Sequence, residues 1–410
     1  MKVVVVGAGV VGLACAFELR RSGADVVVLE RGAVGAGASL GNTGWVCPSL
    51  THPLPGPGTV GEGVRAALRL TGPLAVRPSL DPGYLRWLWR FRASCTRERW
   101  QEGVRALAVL NERTLELLAD YAAAGLEFEE HGAGLLLVAL TEKKLGAYRD
   151  LFTELESLGA ASFRELDAAQ TCEAEASLTP DLAGGLLTGV DRWVRPESLT
   201  AGLAAWLRAN DVEVREGVEV RSVTGSRVET SDGPVACDRV VVAAGITSSP
   251  FLADLGVRVT LAPGRGYSVL YTEKTAPTPD HALYLADALL GLSSYDEGLR
   301  IAGVFELGHH ALAIDERRLR AMLTSADPFF ASWRPSEEAP ESRWVGLRPL
   351  TSDGLPLIGA APRDPHVVVA TGHGMLGVTL APATAAVVAR LVLEGRDDPS
   401  LAPFSPARAA

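Results

Sequence analysis

The sequence predicts an α/β fold. Three observations predict it: a run of four valines at Val3–Val6, glycines at positions 7, 9 and 12 directly after it, and a second apolar run at Val26–Leu29 that closes on Glu30. A β-branched run with no polar member suits a strand buried on both faces. Helix formers continue from Leu13 to Arg21 and Gly23 ends that helix, so the first thirty residues form one βαβ unit. In such a unit Gly7 makes the tight turn and Gly9 lets the backbone approach a pyrophosphate beside Val10 and Val11. Gly12 lets the helix pack closely on the strand. Glu30, 23 residues after Gly7 and followed by Arg31, stands where a carboxylate accepts hydrogen bonds from both ribose hydroxyls and repels a 2′-phosphate. A glycine triplet alone is weak. Strand, glycines, helix, strand and acid in register point to a bound dinucleotide, either FAD or NAD.

From Ala33 to Gly63 the chain is rich in Gly, Pro, Ser and Thr, which predicts a long loop, and a loop of this length is usually functional. Apolar positions recurring at three and four from Tyr84 to Leu158 predict helices, interrupted by a strand at Gly134–Leu140. Pro196 opens a helix that ends near Asn210. Short strands follow at Glu213–Arg215, Val220–Thr224, Ser226–Thr230, Val235–Cys237 and Arg239–Ala244. A β-rich stretch broken by Gly and Pro runs from Val257 to Phe305. The last part of the chain returns to α/β character, with a strand at His366–Ala370, a Gly-rich turn at Thr371–Gly377 and a helix through Ala383–Leu393.

The 410 residues, 47% apolar and 21% charged, suit an ordinary folded chain of two or three domains. A net charge of −10 repels phosphate polymers, so nucleic acid is not an expected partner. The five cysteines (Cys15, Cys47, Cys95, Cys172, Cys237) include no C-x-x-C pair and fit neither a disulfide framework nor a zinc cage, which points to a reducing, cytoplasmic compartment. His309-His310 with His281 matches no zinc spacing, and no metal is expected. Glycines interrupt the apolar N-terminus and no small-residue cleavage site follows, so it reads as strand and helix rather than a secretory leader. The stretch Val367–Leu393 is broken by His373, Pro382 and Arg390, and no transmembrane segment is expected.

Further segments bear on the choice of dinucleotide. Val241–Gly245 is a buried strand ending in small residues, Ala244 and Gly245 among them, that let a second backbone segment close over a cofactor. Gly346-Leu-Arg-Pro349 precedes Thr351–Gly359, and Thr371-Gly-His-Gly-Met-Leu-Gly377 opens the last helix. Together with Gly41-Asn42-Thr43-Gly44, Pro73–Arg77, Tyr84–Trp89, Gly264–Ser268 and Trp344–Pro349, these segments resemble the D-amino-acid oxidase superfamily of flavoproteins over nearly the whole chain, most of all its bacterial D-amino-acid dehydrogenases.

The resemblance implies FAD rather than NAD. It implies a Rossmann-like FAD domain of the glutathione-reductase type, assembled from 1–78, 165–250 and 343–410. A substrate domain carrying an antiparallel sheet would come from 79–164 and 251–342. Beyond the fingerprint residues it implies cofactor contacts from Asn42, Thr43 and Gly44 near the flavin ring or ribityl chain, from the backbone of Val220 at the adenine, and from Ala244, Gly245 and Gly346. Gly372, His373, Gly374, Met375, Leu376 and Gly377 would present a helix N-terminus to negative charge developing on the flavin.

The implied activity is catabolic oxidative deamination of an amino acid, D-configured. Hydride passes from Cα to flavin N5, and the imino acid then hydrolyses to a 2-oxo acid and ammonia. Hydride transfer requires no catalytic base. Arg348 is the expected carboxylate clamp, because a guanidinium offers parallel N–H bonds to both oxygens; a salt bridge is the ordinary alternative. Tyr267 is expected either to set its hydroxyl over the substrate or to pack at the domain interface. For His373 a satisfied, hydrogen-bonded ring is the favoured reading. Ala288-Leu-Leu-Gly291 stands where the resembling dehydrogenases carry a tyrosine, which predicts a more apolar wall suited to an apolar or N-substituted amino acid. Cys47 reads as a small buried thiol rather than a flavin attachment point. Trp87 and Trp89 cannot share one helix face, and packing on the long loop is favoured over a membrane patch; the family adds peripheral contact at the inner membrane as an alternative. Two other functions stay open, oxidation of a sarcosine-, glycine- or D-proline-type substrate and a non-catalytic electron-transfer subunit. Oxygen, a quinone or another redox protein all remain candidate electron acceptors.

Overall fold

The valine run is sorted between two cores. In the computed structural model, which describes residues 1–61, 72–272, 274–395 and 398–408, Val3 and Val5 join one hydrophobic cluster and Val4 and Val6 another. Their strand, Lys2–Val6, lies inside a six-stranded sheet ordered Glu213–Arg215, Asp25–Leu29, Lys2–Val6, Arg239–Val242, Val367–Thr371, Leu357–Ala360. All neighbours are parallel except the last pair. The helices Val10–Arg21, Pro196–Ala209 and Gly377–Glu394 cover one face through Leu13, Phe17, Leu203, Leu207, Leu380 and Val388. The antiparallel strands Val220–Thr224, Arg227–Thr230 and Gly233–Ala236, with the short helix Ser249–Asp254, cover the other. Cover on both faces is the reason the inner strands run through Val3–Val6, Val26–Leu29, Val240–Val242 and Val367–Ala370 without a polar residue.

A second, larger sheet is ordered Ser342–Leu350, Ala262–Thr272, Gly298–Leu307, Leu290–Tyr295, Ala282–Leu285, Leu135–Ala139, Gly184–Leu187, Arg164–Leu166, with Leu74–Val76 paired beside Gly298–Leu307. It is antiparallel apart from two parallel pairs. The helix Glu316–Ala326 packs Leu319, Met322 and Leu323 against Leu299 and Ile301 of this sheet.

This strand pairing redraws the expected domain division. Residues 74–76, 165–166, 184–187 and 343–350, which the sequence reading assigns to the cofactor side, are hydrogen-bonded into the large sheet. The division at 343 follows the Gly-Leu-Arg-Pro motif, but that motif sits on a nine-residue strand whose partner is Ala262–Thr272. The last helix starts at Gly377 rather than Ala383. Pro382 is tolerated inside it because only the bond to the carbonyl of Val378, near the helix start, is lost. The helix Glu316–Ala326 and the strands Arg164–Leu166, Gly184–Leu187, Arg192–Val194 and Ser342–Leu350 have no counterpart among the elements read from the sequence.

Within the expected loop, residues 33–61 hold a two-residue strand, Trp45–Val46, a 3-10 turn at Pro48–Leu50 and helical residues at 59–61; residues 62 and 63 fall outside the described residues. Trp87 is buried, stacks on Phe91 and packs against Leu54 of this loop, while Trp89 is 70% exposed. Among the described residues one helix, Gly377–Glu394, is long and apolar enough to cross a membrane, and two thirds of it is buried inside the fold.

Candidate active site

At the C-terminal ends of the parallel strands a cleft of about 770 Å³ opens over the glycine turn. Gly7, Gly9, Val10, Val11, Glu30, Arg31, Asn42, Val220, Ala244, Gly245, Gly372, His373, Gly374 and Gly377 line it, as expected of cofactor residues. Gly7 has φ +107°, and a Cβ there would lie 2.7 Å from the carbonyl oxygen of Ala243, so only glycine lets the two strand tips meet. Both oxygens of Glu30 brace the turn, accepting from the Ala8 and Gly32 amides at 2.9 Å. Ser39, which sequence reasoning passed over inside the Gly-rich loop, accepts the Val10 amide at 3.0 Å at the helix start and lines the same cleft. A helix N-terminus, a glycine turn, a carboxylate at a strand end and an alanine wall together fit a dinucleotide.

Three expected contacts line neither this cleft nor the cavity beside it. A Cβ on Gly12 would collide with the Gly7 carbonyl, one on Gly44 with the Val194 carbonyl, and one on Gly346 with the Trp344 ring. These glycines serve close packing of chain on chain. Thr43, Met375 and Leu376 line the neighbouring cavity.

That cavity has a volume of about 480 Å³ and meets the cleft at Ala38, Asn42 and Gly374. Arg348 is the one charged residue on its wall among the described residues. It projects from Ser342–Leu350 across Gly266 of the adjacent strand, where any Cβ would collide with both terminal guanidinium nitrogens. One of those nitrogens donates to the Val304 carbonyl at 3.2 Å. Val304 has φ +59° at a bulge where the pairing slips between Arg265–Glu306 and Tyr267–Gly303, and a β-branched residue in that region is strained. The guanidinium also lies 5.8 Å from the centre of the Phe305 ring. Among the described residues no carboxylate comes within ion-pair distance of it. Burial without an anion pulls its pKa down to about 10, which leaves it charged at neutral pH. The arrangement is a cation awaiting an anion from outside.

The profile of the FAD dependent oxidoreductase family, DAO, matches residues 2–391. The chain belongs to this family. Its curated relatives include the D-amino acid dehydrogenase of Cereibacter sphaeroides, 33% identical over 97% of this chain and 92% of that protein. D-amino acid dehydrogenase 2 of Ralstonia nicotianae is 32% identical over the full length of both. Among solved structures, glycine oxidase from Geobacillus kaustophilus aligns with a TM-score of 0.77 at 22% identity, covering 100% of this chain and 99% of that one. An L-amino acid deaminase from Proteus vulgaris aligns at 0.73 and 21% identity, covering 99% and 93%. FAD is thus the dinucleotide for which the cleft is built.

In this DAO-family site the loop that separates the two cavities is fastened from the large sheet. The carbonyl of Thr43 accepts the hydroxyls of Ser293 at 2.7 Å and Tyr295 at 2.8 Å, and the carbonyl of Asn42 accepts from buried Arg300 at 2.8 Å. Arg300 pairs with Glu197 at 2.9 Å, and Glu197 accepts the Gly41 amide at 3.0 Å. The expected loop residues are therefore held by partners from three other segments.

Tyr267 lines the cavity and packs in the core of the large sheet, and its hydroxyl donates to buried Glu306 at 2.8 Å, which disfavours the reading that sets this hydroxyl over a substrate. Glu306 also binds Arg265 at 2.6 Å and Arg318 at 2.9 Å, and against burial the hydrogen bonds from Arg265 and Tyr267 hold its carboxyl below the usual range. The His373 ring is buried and its Nε2 meets the Thr384 hydroxyl at 3.0 Å. Burial lowers its pKa to about 3, so it is neutral in the working range. Cys47 is buried with its thiol raised well above the ordinary value and its sulfur 3.7 Å from the Arg192 carbonyl. His281 meets Glu175 at 2.8 Å, and His310 lies at the cofactor cleft rather than near His281. Leu289 and Gly291 line the cavity where an apolar wall was expected, yet Tyr148 and Tyr284, unremarked in the sequence, bring two hydroxyls to it.

Proposed function

We propose that this FAD-dependent oxidoreductase dehydrogenates an amino acid at its Cα–N bond, with D-configuration, yielding an imino acid that hydrolyses to a 2-oxo acid and ammonia. The carrying observation is Arg348, a buried cation on the cavity wall with no acidic partner. The D-configuration rests on the names of the curated relatives. FAD, when bound, supplies the two-electron acceptor. The chain's own residues bind and orient: Arg348 grips the carboxylate through two parallel N–H bonds, while Gly266 and Val304 hold the guanidinium in place. Among the described residues no carboxylate lines the cavity, and burial keeps His373 and His52 neutral and the Cys47 thiol protonated. The wall thus offers neither an anion for an ammonium nor a strong base, and the substrate amine reacts in its neutral form.

Mixing the holoprotein without oxygen with D- and L-amino acids, glycine, sarcosine and D-proline tests this. Bleaching of the flavin by D-amino acids is expected. Arg348→Leu should keep its flavin and raise KM roughly a hundredfold. An unchanged KM removes the clamp, bleaching by L-amino acids alone reverses the stereochemistry, and a flavin that no amine bleaches leaves an electron-transfer protein.

A further inference from the structure

The side-chain end of the cavity is more informative than its size. Three aromatic rings form a ladder along it. Trp45 meets Tyr284 edge to face at 6.0 Å and 78°, and Tyr284 meets Tyr148 at 5.7 Å and 79°. The ladder is tied down by the Trp45 indole donating to Ser293 at 3.0 Å and by a 3.2 Å bond between the two tyrosine hydroxyls. Leu74, Phe305 and Leu289 also line the cavity. Leu289 holds φ +57°, a conformation that costs a leucine about 1 kcal/mol, so an apolar side chain persists on this wall against local strain.

From these observations we propose that the substrate carries a bulky, uncharged side chain, aromatic or branched aliphatic, seated against the Trp45–Tyr284–Tyr148 ladder, and that small or charged side chains are selected against. The assignment rests on the amino-acid reading above. Away from Thr43, Met375 and Leu376, on the side expected to meet the flavin, the wall is largely apolar and aromatic, and its aromatic edges offer contact area with little rotamer entropy to lose. Arg348 is committed to the α-carboxylate, so among the described residues a second carboxylate finds no further cation on the wall. A side-chain ammonium or guanidinium finds no anion among them, and either would be desolvated without a partner.

The test is anaerobic flavin reduction by D-phenylalanine, D-leucine, D-alanine, D-glutamate and D-lysine. The expected order puts D-phenylalanine and D-leucine about tenfold or more above D-alanine in reduction rate over Kd, and about a hundredfold above the two charged substrates. Tyr284→Ala should keep its flavin and shrink the D-phenylalanine to D-alanine ratio about tenfold. D-alanine or a charged substrate in first place overturns the side-chain assignment and leaves the amine-oxidation reading standing. If no amino acid reduces the flavin, the amine-oxidation reading fails. Perturbation of the flavin spectrum by phenylacetate, acetate and succinate then decides the pocket without turnover. Phenylacetate at least about tenfold tighter than both others supports the assignment, and equal affinities overturn it.

Discussion

The cofactor cleft and the substrate cavity share a wall and are built by opposite means. The cleft is made largely of backbone: glycines with left-handed φ, amides at a helix start and alanines at strand tips, grouped in short runs such as 6–11, 243–247 and 370–378. The cavity is made of side chains delivered singly from seven or more separate segments, and the one cation on its wall among the described residues is held by a missing side chain on one strand and a bulge on another. A site of the first kind is specified by local spacing. One of the second kind is specified by register between distant strands. Damage to the two should therefore look different.

Gly7→Ala should break the cleft outright. The new Cβ meets the Ala243 carbonyl from a backbone angle that alanine disfavours, and the flavin to protein ratio should drop below roughly one tenth. A stoichiometric flavin content, read by absorbance beside an unchanged circular dichroism melt, would erase the distinction between the regions. Gly266→Ala should do the reverse. Flavin content stays whole while the displaced Arg348 costs about a hundredfold in kcat/KM, most of it in KM. A loss falling on kcat alone, or none, would show that the guanidinium is not seated by that gap.

The smallest effect belongs to His373, whose backbone faces the cleft while its ring is spent on Thr384. With its folded pKa near 3 against an ordinary value of about 6.5, the unfolded chain takes up a proton as pH falls through 6.5 and the folded chain does not. Stability is lost progressively over that window, by about 2 kcal/mol at pH 4.5 relative to pH 7. His373→Gln should flatten that slope in urea unfolding and change activity at neutral pH by less than about twofold. A variant with the wild-type slope would place the acid sensitivity elsewhere.

The same contrast explains what was legible beforehand. The first thirty residues and the turn 371–377 declared themselves because glycine spacing is a local signal, and Arg348 did so through its neighbours Gly346, Leu347 and Pro349. What seats Arg348 was not legible: Gly266 and Val304 become relevant only when three strands align. The hydroxyl reading of Tyr267 is disfavoured for a similar reason, since Glu306 reaches it from the neighbouring strand. Tyr148 sits on a helix and Tyr284 on a strand with ordinary apolar patterns, and no spacing marks either as part of a site. The start of the last helix, six residues before the expected Ala383, was not legible either, since tolerance of Pro382 depends on how close the helix start lies, which the glycine turn alone does not fix.

Ala38, Asn42 and Gly374 face both cavities, and the loop carrying Asn42 is bolted to the large sheet through Arg300 and Glu197. Occupants of the two spaces are thereby thermodynamically coupled: whatever a carboxylate ligand does to cofactor affinity, the cofactor does in equal measure to the carboxylate. Where a ligand presses this partition into place, cofactor loss would slow, and the supply of substrate would then become a term in the lifetime of the holoprotein.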